Sequence, residues 1–116
     1  FNLDIKIASI PTLRDKYGLA LSSRNQLLDI PNLKIARSLY KNLKKSKVKS
    51  YKYTKDLVKY LQRELKKSGL TNIEYLEVRE SVNLKPVRVL NSKKQIRIFI
   101  AIKLGKVRLI DNCKLN

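Results

Sequence analysis

The sequence predicts an α+β domain in which two main helices pack on a small, mostly antiparallel three-stranded sheet. Three observations carry that expectation. Apolar residues recur at spacings of three and four through two central stretches. They then recur at a spacing of two through the C-terminal third, and Gly105 stands between the last two such runs, where a tight turn is needed.

Taken in order, Leu3, Ile5 and Ile7 alternate with polar residues as a strand that ends before Pro11, since proline cannot donate to a central ladder. Pro31 suits the first turn of a helix, and Leu33, Ala36, Leu39, Tyr40 and Leu43 then form one apolar stripe. A second helix is expected from Thr54 as N-cap, with Asp56 favourable in its first turn and Leu57, Val58, Leu61 and Leu65 on its inner face. Lys66 and Lys67 followed by Gly69 mark its end. Both stripes read as core packing rather than as a groove for a partner. Residues 73 to 79 then form a strand. Ile96, Ile98, Ile100 and Ile102, alternating with Arg97, Phe99, Ala101 and Lys103, form a long and largely buried one, and Gly105 turns the chain into a third over Val107 to Ile110.

A chain of 116 residues makes one modest domain with a real core, and a hydrophobic content of 43% argues for folding despite 31% charged residues. One cysteine cannot form an internal disulfide, and Cys113, in a chain without histidine, is a poor nucleophile. No run approaches the ~20 apolar residues of a membrane span. No secretory signal is read, the start at Phe1 suggests a truncated or processed chain, and a cytoplasmic protein is expected.

The chemistry concentrates in residues 18 to 25, Gly-Leu-Ala-Leu-Ser-Ser-Arg-Asn. Hydroxyls donate hydrogen bonds that can follow a moving oxygen, and a guanidinium adds fixed charge and a planar fork of donors matched to phosphate. Gly18 permits a turn or a close approach, and the amides of a following helix start would add anion donors. Serine and asparagine in such a triplet also satisfy the turn backbone of ordinary solvated loops.

The frame around this segment resembles the pantothenate synthetases, also called pantoate:beta-alanine ligases. Ile10-Pro11-Thr12-Leu13-Arg14-Asp15 followed by Gly18 to Asn25 is similar to the family's Val-Pro-Thr-Val-Arg-Glu, spacer, and Asp-Gly-Leu-Ala-Leu-Ser-Ser-Arg-Asn. Ile73 to Arg79 resembles its Val-Asp-Tyr-Val-Glu-Val-Arg strand, and Ile102 to Asn112 its closing hairpin. Two departures stand out. Tyr17 occupies the place of the family's Asp, and the lysine-rich helices replace alanine-rich or acidic ones.

The resemblance implies that the chain is a C-terminal portion. On that reading, residues 1–20 are the last strand and hinge of an absent, Rossmann-like nucleotide-binding domain that carries a histidine signature, and residues 21–116 are the lid domain. It implies an ATP-dependent ligase that joins pantoate to beta-alanine through a pantoyl adenylate, releasing pyrophosphate and AMP. Mg²⁺ would act in the complete enzyme, which the resemblance makes a homodimer. ATP contacts fall on Leu13, Leu21, Ser22, Ser23 and Arg24. Leu13 and Leu21 read equally as linker packing on the core. No catalytic or metal-ligating residue is expected in this portion, which alone would be inactive.

The net charge of +18 supports the alternative of a basic nucleic-acid-binding module. Against it, nineteen lysines outnumber eight arginines, the charge runs from Lys6 to Lys114, and no aromatic-basic repeat accompanies it. The Lys41 to Lys55 run reads as a helix end and a solvated loop. No specific nucleic-acid partner and no membrane partner are therefore expected.

Overall fold

The computed structural model describes residues 13–16, 18–20, 22–46, 51–90 and 93–115. The expected strand around Leu3 to Ile7 lies outside the described residues. A short 3-10 turn, Ser23–Leu27, leads into helix α1, Ile30–Ser46, and then α2, Thr54–Lys67. Three strands follow: β1, Ile73–Glu80; β2, Ile96–Leu104; and β3, Val107–Lys114. They form one antiparallel sheet in the order β1-β2-β3.

Helix α1 starts where Asp29 caps it. Its Oδ1 accepts the Asn32 amide at 2.9 Å while its carbonyl accepts the Leu33 amide at 2.8 Å, leaving Pro31 in the first turn, where its missing N–H costs nothing. Ala36, Leu39 and Leu43 are fully buried on its inner face. Leu57, Leu61 and Leu65 do the same on α2. Full burial of such a leucine contributes about 1.5–3 kcal/mol.

The expected N-cap of α2 needs correction. Thr54 is the first helical residue and Tyr53 is the cap, in extended conformation and without a side-chain hydrogen bond. The cause lies outside the helix. Residues 52–54 are pinned to the β1–β2 connection, Tyr53 bridging Val89 and the Thr54 amide donating to the Arg88 carbonyl at 2.9 Å. Held there, the Thr54 hydroxyl is buried without a partner. The other end is as expected. Gly69, at φ +93°, closes a Schellman turn in which its amide donates to Lys66 and that of Leu70 to Leu65. A Cβ at Gly69 would meet Ile35 Cδ1 at 3.3 Å, so the glycine also lets α1 and α2 approach.

In the sheet, Ile96, Ile98, Ile100, Ile102 and Leu104 of β2 share the helix-covered face with Val107, Leu109 and Cys113 of β3. Phe99 and Ala101, on the opposite face, are buried as well, which accounts for the nearly continuous apolar run. Strand β3 continues four residues beyond the expected Ile110, and this extension carries Asp111 to the helix-covered face opposite Ile100.

Candidate functional site

Arg14 to Lys16 and Gly18 to Ala20 form a tight reversal, and the 3-10 turn follows at Ser23. The Asp15 amide donates to the Leu19 carbonyl at 2.8 Å, the Gly18 amide to the Asp15 carbonyl at 3.0 Å, and the Leu19 amide to Asp15 Oδ1 at 2.9 Å. Arg14 and Ala20 thereby pair as an antiparallel bridge. Such a reversal needs positive φ at one position, and Gly18 supplies it at +92°. Further along, Asn25 Nδ2 donates to the Ala20 carbonyl at 3.0 Å and its amide to the Ser22 carbonyl at 3.1 Å. A five-residue 3-10 turn stands between this loop and the helix start at Ile30.

This loop is anchored by Arg14. Its guanidinium grips Asp111 end-on, Nη1 to Oδ2 at 2.7 Å and Nη2 to Oδ1 at 2.8 Å. It also donates to the carbonyls of Gly18 at 3.1 Å and Asn112 at 3.2 Å. Its plane lies over the Tyr40 ring, 3.4 Å from the centroid. The Asp111 side chain is 1% exposed and that of Arg14 15%. Burial works against the Arg14 charge, but the hydrogen bonds and charge of Asp111 outweigh it and raise the guanidinium pKa above its ordinary value. Removing one partner of so buried a pair typically costs about 3–5 kcal/mol. A second ion pair, Arg37 Nε to Asp15 Oδ2 at 3.4 Å, ties the reversal to α1.

Between the loop and β3 runs a cleft of about 480 Å³, whose polar lining comes from Ser22, Asn25, Arg108 and Asp111 and whose apolar wall includes Leu109 and Ile110. Arg108 stands in an exposed ion pair, its Nε donating to Glu74 Oε1 at 2.8 Å. Asp111 is neutralised by Arg14 and Arg108 is paired with Glu74, so the lining is polar without a bare carboxylate.

Of the residues expected to contact ATP, Ser22 is exposed and lines this cleft. Ser23 and Arg24 open the 3-10 turn, and their side chains lie outside what is described, as does Leu21. Leu13 is 74% exposed, so it is not packed on the core. Arg14, Tyr40 and Asp111 were not expected as site residues. A signal existed: Val107, Leu109, Asp111 and Cys113 share one period-two register, and a carboxylate on a buried strand face requires a cationic partner.

Among the described residues no group of three or more acidic, cysteine or histidine side chains could hold a metal, and no helix is long and apolar enough to cross a membrane. A second, open concavity of about 630 Å³ is lined by Tyr51, Asp56, Lys59, Gln62, Arg63 and Lys66 on the outer side of α2. Tyr51 is engaged there with Tyr60, ring centroids 6.1 Å apart.

A family model described as pantoate-beta-alanine ligase matches residues 1–114. A pantothenate synthetase of Clostridium novyi (strain NT) is 37% identical over 114 residues, which cover 96% of this chain and 40% of that protein. Among solved structures, a pantothenate synthetase from Thermus thermophilus matches with a TM-score of 0.77 at 27% identity, covering 91% of this chain and 38% of that one. A pantoate-beta-alanine ligase from Francisella tularensis, complexed with beta-gamma ATP and beta-alanine, matches with a TM-score of 0.60 at 31% identity, covering 91% and 32%. The chain thus spans about 40% of the length of the pantothenate synthetases it matches, consistent with a C-terminal portion.

Proposed function

Because the chain belongs to the pantoate-beta-alanine ligase family, we propose that it supplies the lid and the ATP-phosphate clamp of such a ligase. The observation that carries this reading is the seating of the Gly18 to Asn25 segment against β3, with Ser22 at the mouth of a polar cleft. The neighbour complexed with beta-gamma ATP and beta-alanine supports both ligands as substrates.

The chemistry explains why a clamp is needed. A carboxylate is a poor acyl donor until its oxygen becomes part of a phosphate leaving group. Attack of the pantoate carboxylate on the α-phosphorus of ATP forms pantoyl adenylate and releases pyrophosphate. Attack of the beta-alanine amine on the acyl carbon then gives pantothenate, AMP and a proton. In the first step negative charge grows on the departing pyrophosphate, and donors already in place there lower the barrier most. Ser22 and Ser23 supply mobile single hydrogen bonds and Arg24 the fixed charge. Leu21 shares the ATP contact, and the exposed Leu13 offers an apolar neighbour for adenine.

Residues 1–20 act as terminal strand and hinge and residues 21–116 as the lid. The groups that hold pantoate and beta-alanine belong to a nucleotide-binding domain outside this chain, in a homodimeric cytoplasmic enzyme. Mg²⁺ accompanies the ATP phosphates in that enzyme. The carboxylates nearest the loop do not fit it: Asp15 and Asp111 are each engaged by an arginine. The basic concavity on α2 offers no comparable alternative, since its Tyr51 is engaged with Tyr60 and Asp56 sits among its cations.

Two measurements test the reading. The 116-residue chain alone should form no AMP from ATP, pantoate and beta-alanine. In the full-length ligase, Arg24→Ala should lower turnover by orders of magnitude without changing the thermal midpoint. An unchanged rate removes Arg24 from the site.

A further inference from the structure

The loop that carries the clamp owes its placement to one side chain. A guanidinium has five N–H donors in a rigid planar fork, and Arg14 distributes its terminal ones between the loop and the sheet. Nη1 reaches both Asp111 Oδ2 and the Gly18 carbonyl, and Nη2 reaches both Asp111 Oδ1 and the Asn112 carbonyl. Asp111 is held in turn, its Oδ1 accepting the Asn112 amide at 2.7 Å. Tyr40 of α1 supports the guanidinium from beneath.

We infer that Arg14 is a positioning residue that fixes the Gly18 to Asn25 loop on β3, and thereby sets where Ser22 and its neighbours meet the phosphates. The consequence for ATP rests on the ligase reading above; the fixing of the loop does not. Stability alone is a weak reason for this pair, because a buried ion pair can often be exchanged for apolar side chains of similar volume without loss. An apolar pair would fill the space. It could not hydrogen-bond the Gly18 and Asn112 carbonyls. A lysine would keep the charge but has no fork to span the loop and the strand together.

The experiment separates packing from positioning. In the 116-residue chain, Arg14→Lys should speed amide hydrogen exchange at Asp15, Leu19 and Asn25, whose amides are bonded within the loop, while β2 amides keep their rates. Unchanged exchange at those three positions overturns the inference. In the full-length ligase, the double variant Arg14→Met with Asp111→Leu should keep the thermal midpoint. It should raise KM for ATP roughly 10–100-fold, the scale expected when a binding group is misplaced by an ångström, with KM for beta-alanine unchanged. A double variant with both normal stability and normal KM for ATP overturns it. If Arg14→Met alone does not fold, the double variant and Arg14→Lys still decide. A wild-type full-length protein without pantoate-dependent AMP formation would instead remove the ligase reading, and the exchange measurement would still decide the loop's anchor.

Discussion

Gly18 lies against Tyr40 so closely that a Cβ built on it would sit 3.1 Å from Tyr40 Cδ2. The same ring carries the Arg14 guanidinium, so the aromatic is a shared seat for the loop and its anchor. Gly18 is also at φ +92°, where an L side chain is strained. Gly18→Ala should therefore cost about 1–2 kcal/mol for the conformation alone, with a further cost if Tyr40 cannot yield. A urea midpoint that does not move would show that the reversal tolerates a side chain.

Gly69 faces a similar constraint at the opposite end of the helical layer. Its φ of +93° and the 3.3 Å approach to Ile35 predict that Gly69→Ala also destabilises by about 1–2 kcal/mol. Here the loss should leave the loop untouched. Amide exchange at Leu19 and Asn25 should match the parent chain, and thermal melts should register the whole effect.

Thr54 offers a test of opposite sign. A threonine acting as N-cap would lose ~1 kcal/mol on replacement, whereas a hydroxyl buried without a partner carries a desolvation penalty of about 1–3 kcal/mol that its removal relieves. Thr54→Val should be neutral or stabilising in denaturant titration. A loss of the size expected for a cap would restore Thr54 to that role.

Tyr75 governs an alkaline effect. Burial pushes its phenol pKa up; nearby Arg108 opposes this, while Glu77 and Glu74 add to it. The folded state therefore favours the neutral phenol. Its contribution is fully present below the ordinary phenol pKa and is lost as pH rises through the higher folded value. Urea midpoints taken at stepped alkaline pH should fall more steeply for the parent chain than for Tyr75→Phe. Parallel curves would contradict the shift.

The elements were readable because each relies on local rules. The three- and four-residue spacings of Leu39, Leu43, Leu57, Leu61 and Leu65, the period-two isoleucines of β2, and the glycines at 69 and 105 each point to the state observed. Misreadings arose where a distant segment intervened. Thr54 looks like a cap in isolation, but Arg88 and Val89 draw its backbone into the helix. The loop's hydroxyls and Arg24 stand out in the sequence as phosphate-friendly chemistry, and the resemblance implies ATP as their ligand. The Arg14 anchor escaped because its partner is far along the chain and because Asp111 lies past the expected end of β3. Only the alternation Val107, Leu109, Asp111, Cys113 hinted that this carboxylate faces inward.

That separation has a consequence for biosynthesis. Arg14 and Asp111 are 97 positions apart, so at synthesis rates of about 5–20 residues per second Asp111 is added roughly 5–20 s after Arg14. Throughout that interval α1 and then α2 can form on the ribosome while the loop has no strand to be fastened to. The Arg14–Asp111 anchor can close only once β3 has emerged and paired with β2.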